Sequence, residues 1–166
     1  RFDGYTTALD ARQYLRLAGR TAVALRGFGF YSGGDRPERV NIGGTLALRG
    51  YPNYGYIIGA KAWMVNSELR FPLLDWFTLA TPAGPIRFPE VQGALFVDAG
   101  RTWFSSDEQR AVLGSYGVSF RWPLVPGLVL RLDWGRRWSD DNFRGYGLTR
   151  EQRRRSFVSF FFGYNY

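Results

Sequence analysis

Cysteine and histidine are missing from this chain, methionine occurs once, and Lys61 is the only lysine. Without cysteine there is no disulfide framework and no thiolate metal site. Without histidine the commonest acid–base side chain near neutral pH is unavailable. No uninterrupted apolar stretch approaches the ~20 residues that a membrane helix needs. No secretory signal opens the sequence, which starts at Arg1, so the chain reads as a mature product or as a piece of something longer. What is plentiful is aromatic side chains, 18% of the residues with 14 Phe, 10 Tyr and 6 Trp, together with 21 glycines. That mixture fits a transmembrane barrel, whose girdles use Tyr, Trp and Phe. The mean hydropathy is mildly polar, but a barrel hides its apolar residues by alternation and so escapes this test. The net charge of +8 is carried almost wholly by arginine. Arginine suits bidentate phosphate contact, and an arginine bias is equally a property of GC-rich genomes.

Reading for a period of two gives seven segments. In Leu128 to Arg137, Leu128, Leu130, Leu132 and Trp134 oppose Arg131, Asp133 and Arg137. In Ala62 to Leu73, Trp63, Val65, Leu69 and Phe71 alternate with Asn66, Glu68 and Arg70. In Val112 to Trp122, Tyr116, Val118, Phe120 and Trp122 oppose Ser115, Ser119 and Arg121. In Val91 to Trp103, Leu95 and Val97 oppose Gln92 and Asp98. Phe157 to Tyr166 puts Val158, Phe160, Phe162, Tyr164 and Tyr166 on one face, and Tyr5 to Leu17 sets Leu9, Leu15 and Leu17 against Asp10, Arg12 and Arg16. Thr21 to Tyr31 is weaker, because its pattern slips phase between Leu25 and Phe28. Soluble sandwich strands run nearer ~5–6 residues, whereas these segments match the ~9–11 of a tilted membrane-crossing strand. The expected fold is an all-β, antiparallel transmembrane β-barrel of seven to eight long strands, one domain over residues 1–166. Trp63, Leu69, Leu95, Val118, Phe120, Leu130, Leu132, Phe160 and Phe162 are expected to face lipid.

The connections alternate in length. Ala18 to Arg20 and Leu124 to Gly127 are tight, as periplasmic turns are, whereas Ser32 to Gly59, Phe104 to Arg110 and Trp138 to Arg155 are long, as extracellular loops are. Leu74 to Glu90, with Pro82, Pro85 and Pro89, is long on the periplasmic side and reads as a loop or partly as an extension of the strands. This alternation makes the C-terminus periplasmic and Arg1 extracellular. Single-chain bacterial barrels have even strand numbers, and an open edge in lipid leaves hydrogen bonds unmade. Seven strands therefore imply further strands, from upstream sequence or from another chain.

Within this pattern, Asp98 lies on the polar, lumenal side of its strand and needs a partner. Arg49, on a loop long enough to reach inside, could supply a bidentate one. Gly50 and Gly55 would allow the backbone turns, and Tyr51 would pack beside the pair. Alternatively Arg49 is a solvated loop residue and Asp98 pairs with Arg121 or Arg131. The order of Gly43 to Tyr51, ending Arg49-Gly50-Tyr51, then Asn66 to Leu73, then Phe96-Val97-Asp98-Ala99-Gly100 resembles the C-terminal half of the BamA/TamA-like surface-antigen superfamily of outer-membrane assembly proteins. The resemblance covers essentially the whole chain. It implies that the Arg49-Gly50-Tyr51 tip of the loop 32–59 folds into the lumen, where the strand carrying Phe96, Asp98 and Gly100 receives Arg49. It also implies that the terminal strand, with Phe160, Phe162, Tyr164 and Tyr166, is similar to the signal by which barrels are recognised for assembly.

A second set of inward charges, Glu68, Arg70, Arg121, Arg131 and Asp133, reads as a charge ladder filling the interior or as a lumen that conducts ions. Arg136, Arg137, Arg144, Arg150, Arg153, Arg154 and Arg155 gather around the last long loop, either to clamp lipopolysaccharide phosphates or simply to keep the loop soluble. Nucleic acid is not an expected partner, because no soluble binding fold accompanies the charge. Outer-membrane enzymes generally rest on a histidine, so an enzyme is not expected, nor is a metal or a cofactor. The expected partners are outer-membrane lipid, further barrel strands and client outer-membrane proteins. The expected function is outer-membrane protein assembly, insertion or translocation; the alternative is a structural anchor or pore without insertase activity.

Overall fold

A computed structural model of the chain describes residues 3–53, 55–125 and 128–164, and all regular structure among them is β. In chain order the strands are β1 (Gly4–Ala18), β2 (Thr21–Gly34), β3 (Val40–Asn41), β4 (Ile58–Gly59), β5 (Lys61–Leu74) and β6 (Phe77–Thr81). There follow β7 (Gly84–Phe88), β8 (Val91–Trp103), β9 (Leu113–Val125), β10 (Leu128–Ser139) and β11 (Ser156–Tyr164). The seven long strands form one sheet in the order β1-β2-β5-β8-β9-β10-β11, each antiparallel to its neighbours. Among the described residues the sheet does not close, and β1 and β11 are its edges. β3 and β4 make a two-stranded ribbon inside the first long loop, and β6 and β7 make a second one between β5 and β8. The segment Leu74 to Glu90 is thus mostly a hairpin that prolongs its flanking strands. Residues 126–127 of the expected turn after β9 lie outside the described residues, as do Arg1 and Tyr166.

Register shows why the alternation in the sequence becomes two chemically distinct faces. One cross-strand row runs Leu69, Leu95, Val118, Trp134, Val158, and all point to the convex side. Three residues along, the concave row runs Asn66, Asp98, Ser115, Arg137. Such division is what a barrel wall needs, apolar toward lipid and polar inside. The convex face leaves Leu95, Phe120, Leu132, Trp134, Phe160 and Phe162 exposed, whereas Asp98, Ser115, Ser119 and Asp133 are buried. Aromatic clusters mark both ends of the convex face. Tyr5 stacks with Tyr31 at the loop end, and Phe77, Phe88 and Trp122 meet at the other.

The concave face is not uniformly polar. On the loop side it holds an apolar core that includes Ile42, Leu48, Tyr51 and Ile57 from the first loop, Met64 and Leu113 from the wall, and Phe143, Tyr146 and Leu148 from the last loop. This corrects the phase slip expected in Thr21 to Tyr31. Pairing of β2 with β1 runs without a break from Val23 opposite Leu15 to Gly34 opposite Gly4. Phe28 and Phe30 keep the inward phase of Ala24 and Arg26 and pack against the loop core. The apparent slip reflects a change of environment along the lumen, from wet to loop-filled, with no irregularity in the backbone.

Candidate functional site

The first long loop, residues 35–57, returns into the concave side and brings Arg49 against the wall. Gly50, at φ +81, lets the chain reverse behind it, and a Cβ there would stand 2.6 Å from the Phe157 ring. Only glycine combines that left-handed backbone with so close an approach. Arg49 donates from Nε to Asp98 Oδ2 at 2.7 Å and from Nη2 to Asp98 Oδ1 at 2.6 Å. This is the planar fork that arginine presents to a carboxylate. Its remaining Nη1 donates to Glu68, its backbone N–H approaches Asp98 Oδ2 at 3.3 Å, and its guanidinium carbon sits 3.9 Å from the centre of the Phe96 ring. Arg49 is 3% exposed and Asp98 fully buried, so these bonds replace nearly all of the water both charges would otherwise hold.

Around this pair the wall supplies further donors. Asn66 Nδ2 bonds Asp98 Oδ1 at 2.8 Å, and Ser115 Oγ lies 3.4 Å from Oδ2. Glu68 also accepts from Arg121 Nη2 at 2.7 Å and from Arg70 Nε at 2.7 Å. Arg131 pairs with Asp133 at 3.0 Å, and Ser119 Oγ donates to Asp133 at 2.6 Å. The alternative pairing of Asp98 with Arg121 or Arg131 is therefore not the one adopted, since those arginines serve Glu68 and Asp133.

The tip is held by its backbone as well. Arg131 donates to the carbonyl of Thr45, Arg26 to Leu46, Asn66 to Ala47 and Arg137 to Gly50. These donors stand on β10, β2, β5 and β10, so the tip is gripped from strands on both sides of Asp98. Tyr51 completes the turn, its hydroxyl 2.9 Å from the carbonyl oxygens of both Gly114 and Trp138. Gly100 sits behind it, where a Cβ would come within 2.9 Å of Ile42 Cδ1 in the loop core.

Sequence reasoning did not assign Arg26, Asn66 or Arg137 to the tip, because a bond to a backbone carbonyl leaves no signature in residue type. Arg137, grouped in the sequence with the arginines around the last loop, donates to the Arg154 carbonyl there and also lies over the rings of Tyr51 and Phe157 and donates to the Gly50 carbonyl. Arg136, Arg150, Arg154 and Arg155 are exposed. In the terminal strand, Phe160 and Phe162 point outward and are exposed. The Tyr164 side chain and all of Tyr166 lie outside the described residues. Below the tip the lumen keeps a cavity of about 370 Å³, bordered by Arg26, Arg49, Glu68, Arg70, Arg121 and Arg131.

Burial pushes the Tyr146 phenol, in the last loop, above its ordinary pKa. Its hydroxyl accepts from the Thr102 N–H at 3.2 Å and lies 3.0 Å from the Ala111 carbonyl. It joins the last loop to β8 and to the loop that leads into β9. Among the described residues no group of three Cys, His, Asp or Glu side chains is placed to hold a metal ion. The contacts around Arg49 are ion pairs and hydrogen bonds, which position a loop.

Compared with known proteins, the chain matches the Omp85 superfamily domain over residues 11–150. No curated protein and no solved structure matches it. With a match over most of its length and an open, wholly antiparallel sheet around an inward-folded loop, the chain belongs to the Omp85 superfamily, outer-membrane barrels that assemble or translocate proteins and are not enzymes.

Proposed function

We propose that this barrel takes part in the assembly or insertion of other outer-membrane proteins, or in their translocation, with the 32–59 loop acting as an internal latch. The observation that carries this reading is the double grip on the loop tip: Arg49 shared between Asp98 and Glu68, and the carbonyls around it held by Arg26, Asn66, Arg131 and Arg137. A loop fastened this way occupies the lumen without any covalent bond. It holds the loop end of the wall in one shape while the edge strands remain available for pairing. Residues 1–166 act in this reading as a single barrel domain, with the loops outside the cell and the C-terminus in the periplasm. Phe160, Phe162, Tyr164 and Tyr166 mark the chain for its own assembly, and exposed arginines of the last loop face lipopolysaccharide.

The test is to fold the complete protein into lipid vesicles and follow the folding of a small, initially denatured outer-membrane barrel. Faster folding than in bare vesicles, with Arg49→Ala abolishing the gain although the variant itself is folded, is the expected outcome. No gain with the intact protein would return the reading to a structural anchor or pore.

A further inference from the structure

We infer that the β6–β7 hairpin lies on the membrane at the end of the barrel opposite the loops, its apolar face seated in the headgroup–acyl boundary of the phospholipid leaflet. Its register places Phe77 opposite Phe88 and Leu79 opposite Ile86 on one face, and Thr78 opposite Arg87 and Ala80 opposite Pro85 on the other. The apolar face is uncovered: Phe77 and Leu79 are 50% exposed and Ile86 49%. A lone two-stranded hairpin is marginal in water, so this one calls for a surface.

Continuity with the barrel wall identifies that surface as lipid. Phe77 stacks on Phe88 with centroids 4.8 Å apart, and Phe88 meets Trp122 at 6.4 Å. Trp122 belongs to the convex, lipid-facing side of β9, in phase with Val118 and Phe120. The hairpin's apolar face is therefore the prolongation of the surface that a barrel of this family presents to lipid. β5 has 14 residues before the hairpin begins, already more than the ~9–11 that a tilted strand uses to cross. Trp76, Phe77, Phe88 and Trp122 then fall at the headgroup level where aromatic girdles sit, and Leu79 and Ile86 lie beyond it. Extended straight out, those aliphatic side chains would stand in water; laid along the leaflet, they are covered. The base is tied in place, since Arg20 in the β1–β2 turn bonds both Asp75 and Glu90, which flank the hairpin.

Since this chain contains no cysteine, Leu79→Cys and Thr78→Cys can each carry one environment-sensitive fluorophore. The complete protein is folded into vesicles of phosphatidylethanolamine and phosphatidylglycerol, with folding verified by heat-modifiable gel mobility. The probe at 79 should be blue-shifted, quenched by a lipid carrying its quencher high on the acyl chain and shielded from aqueous iodide. The probe at 78 should show the reverse. Ile86→Cys gives the same reading should Leu79→Cys fail to fold. Iodide quenching of both faces alike would overturn the proposal. So would shielding of position 79 that needs a higher density of the protein, which means a second copy, or that appears only in native outer membranes, which means another protein.

Discussion

Arg49 answers to two carboxylates, and the consequences of removing it differ from those of removing either partner. Arg49→Ala leaves Asp98 with only neutral donors, those of Asn66, Ser115 and the backbone N–H of residue 49, whereas Glu68 keeps Arg121 and Arg70. Stranding a buried charge costs about 3–5 kcal/mol, reduced where the lumenal cavity admits water. Arg49→Ala and Asp98→Ala should each destabilise the barrel, and the double variant should be little worse than the worse single one. A double-mutant cycle on thermal unfolding reads this directly, and strict additivity would mean that the two residues do not share an interaction. Tyr146 provides a separate test in the last loop. Its folded-state pKa is raised by burial, so its contribution is complete below the unfolded tyrosine value of about 10 and is lost as pH rises from there through the elevated one. Tyr146→Phe should strand the Thr102 N–H, costing about 1–3 kcal/mol, and should remove one alkaline step from the near-ultraviolet circular dichroism titration. Identical alkaline titrations of the two proteins would contradict the assignment.

At the level of the strand, phase is the property that matters. Leu130 and Leu132 of β10 share the convex face with Trp134, and Arg131 and Asp133 the concave one. Leu130→Arg should cost roughly 2–4 kcal/mol of folding into bilayers, as expected near the midplane of a lipid-facing wall, and chemical denaturation in vesicles measures it. An unchanged stability would invert the assigned phase. β2 shows how far such reading from sequence can go. Its lower half follows the alternation, with Ala24 and Arg26 inward, but its upper half carries Phe28 and Phe30 inward because the loop core lies against them. Alternation identifies a two-faced strand; which face is dry changes along the lumen, and that depends on a loop distant in sequence.

For the whole sheet, direction sets a constraint. β1 and β11 are the first and seventh members of an antiparallel series, so they run the same way. Joining them to each other, or head to tail with a second copy, would place parallel strands side by side at the seam. Antiparallel closure requires an odd number of additional strands between them. Residues 1–166 alone, folded in detergent, should therefore self-associate through edges that leave backbone groups unpaired. Size-exclusion chromatography with light scattering checks this, and a closed seven-strand monomer would contradict it.

The sequence by itself determined the strands, their approximate lengths and the faces of six wall segments, while Arg49 and Asp98 were singled out as a pair by the family resemblance. It could do so because a strand in a membrane wall has a local rule, alternation every second residue, that needs no knowledge of the partner strand. Even the hairpin was half legible in Leu74 to Glu90, which with its prolines read as a loop or partly as an extension of the strands. What only the tertiary structure decided is who meets whom. Glu68 sits on β5 and Arg121 on β9, with β8 between them, and their contact follows from sheet curvature and from the small Ala94 on the intervening strand. The choice of Arg49 over Arg121 and Arg131 for Asp98, and the hold of Arg26, Asn66 and Arg137 on loop carbonyls, rest on the path of residues 35–57 through the lumen. Backbone carbonyls are the same at every position, so a grip made through them is written in the fold rather than in the residue types.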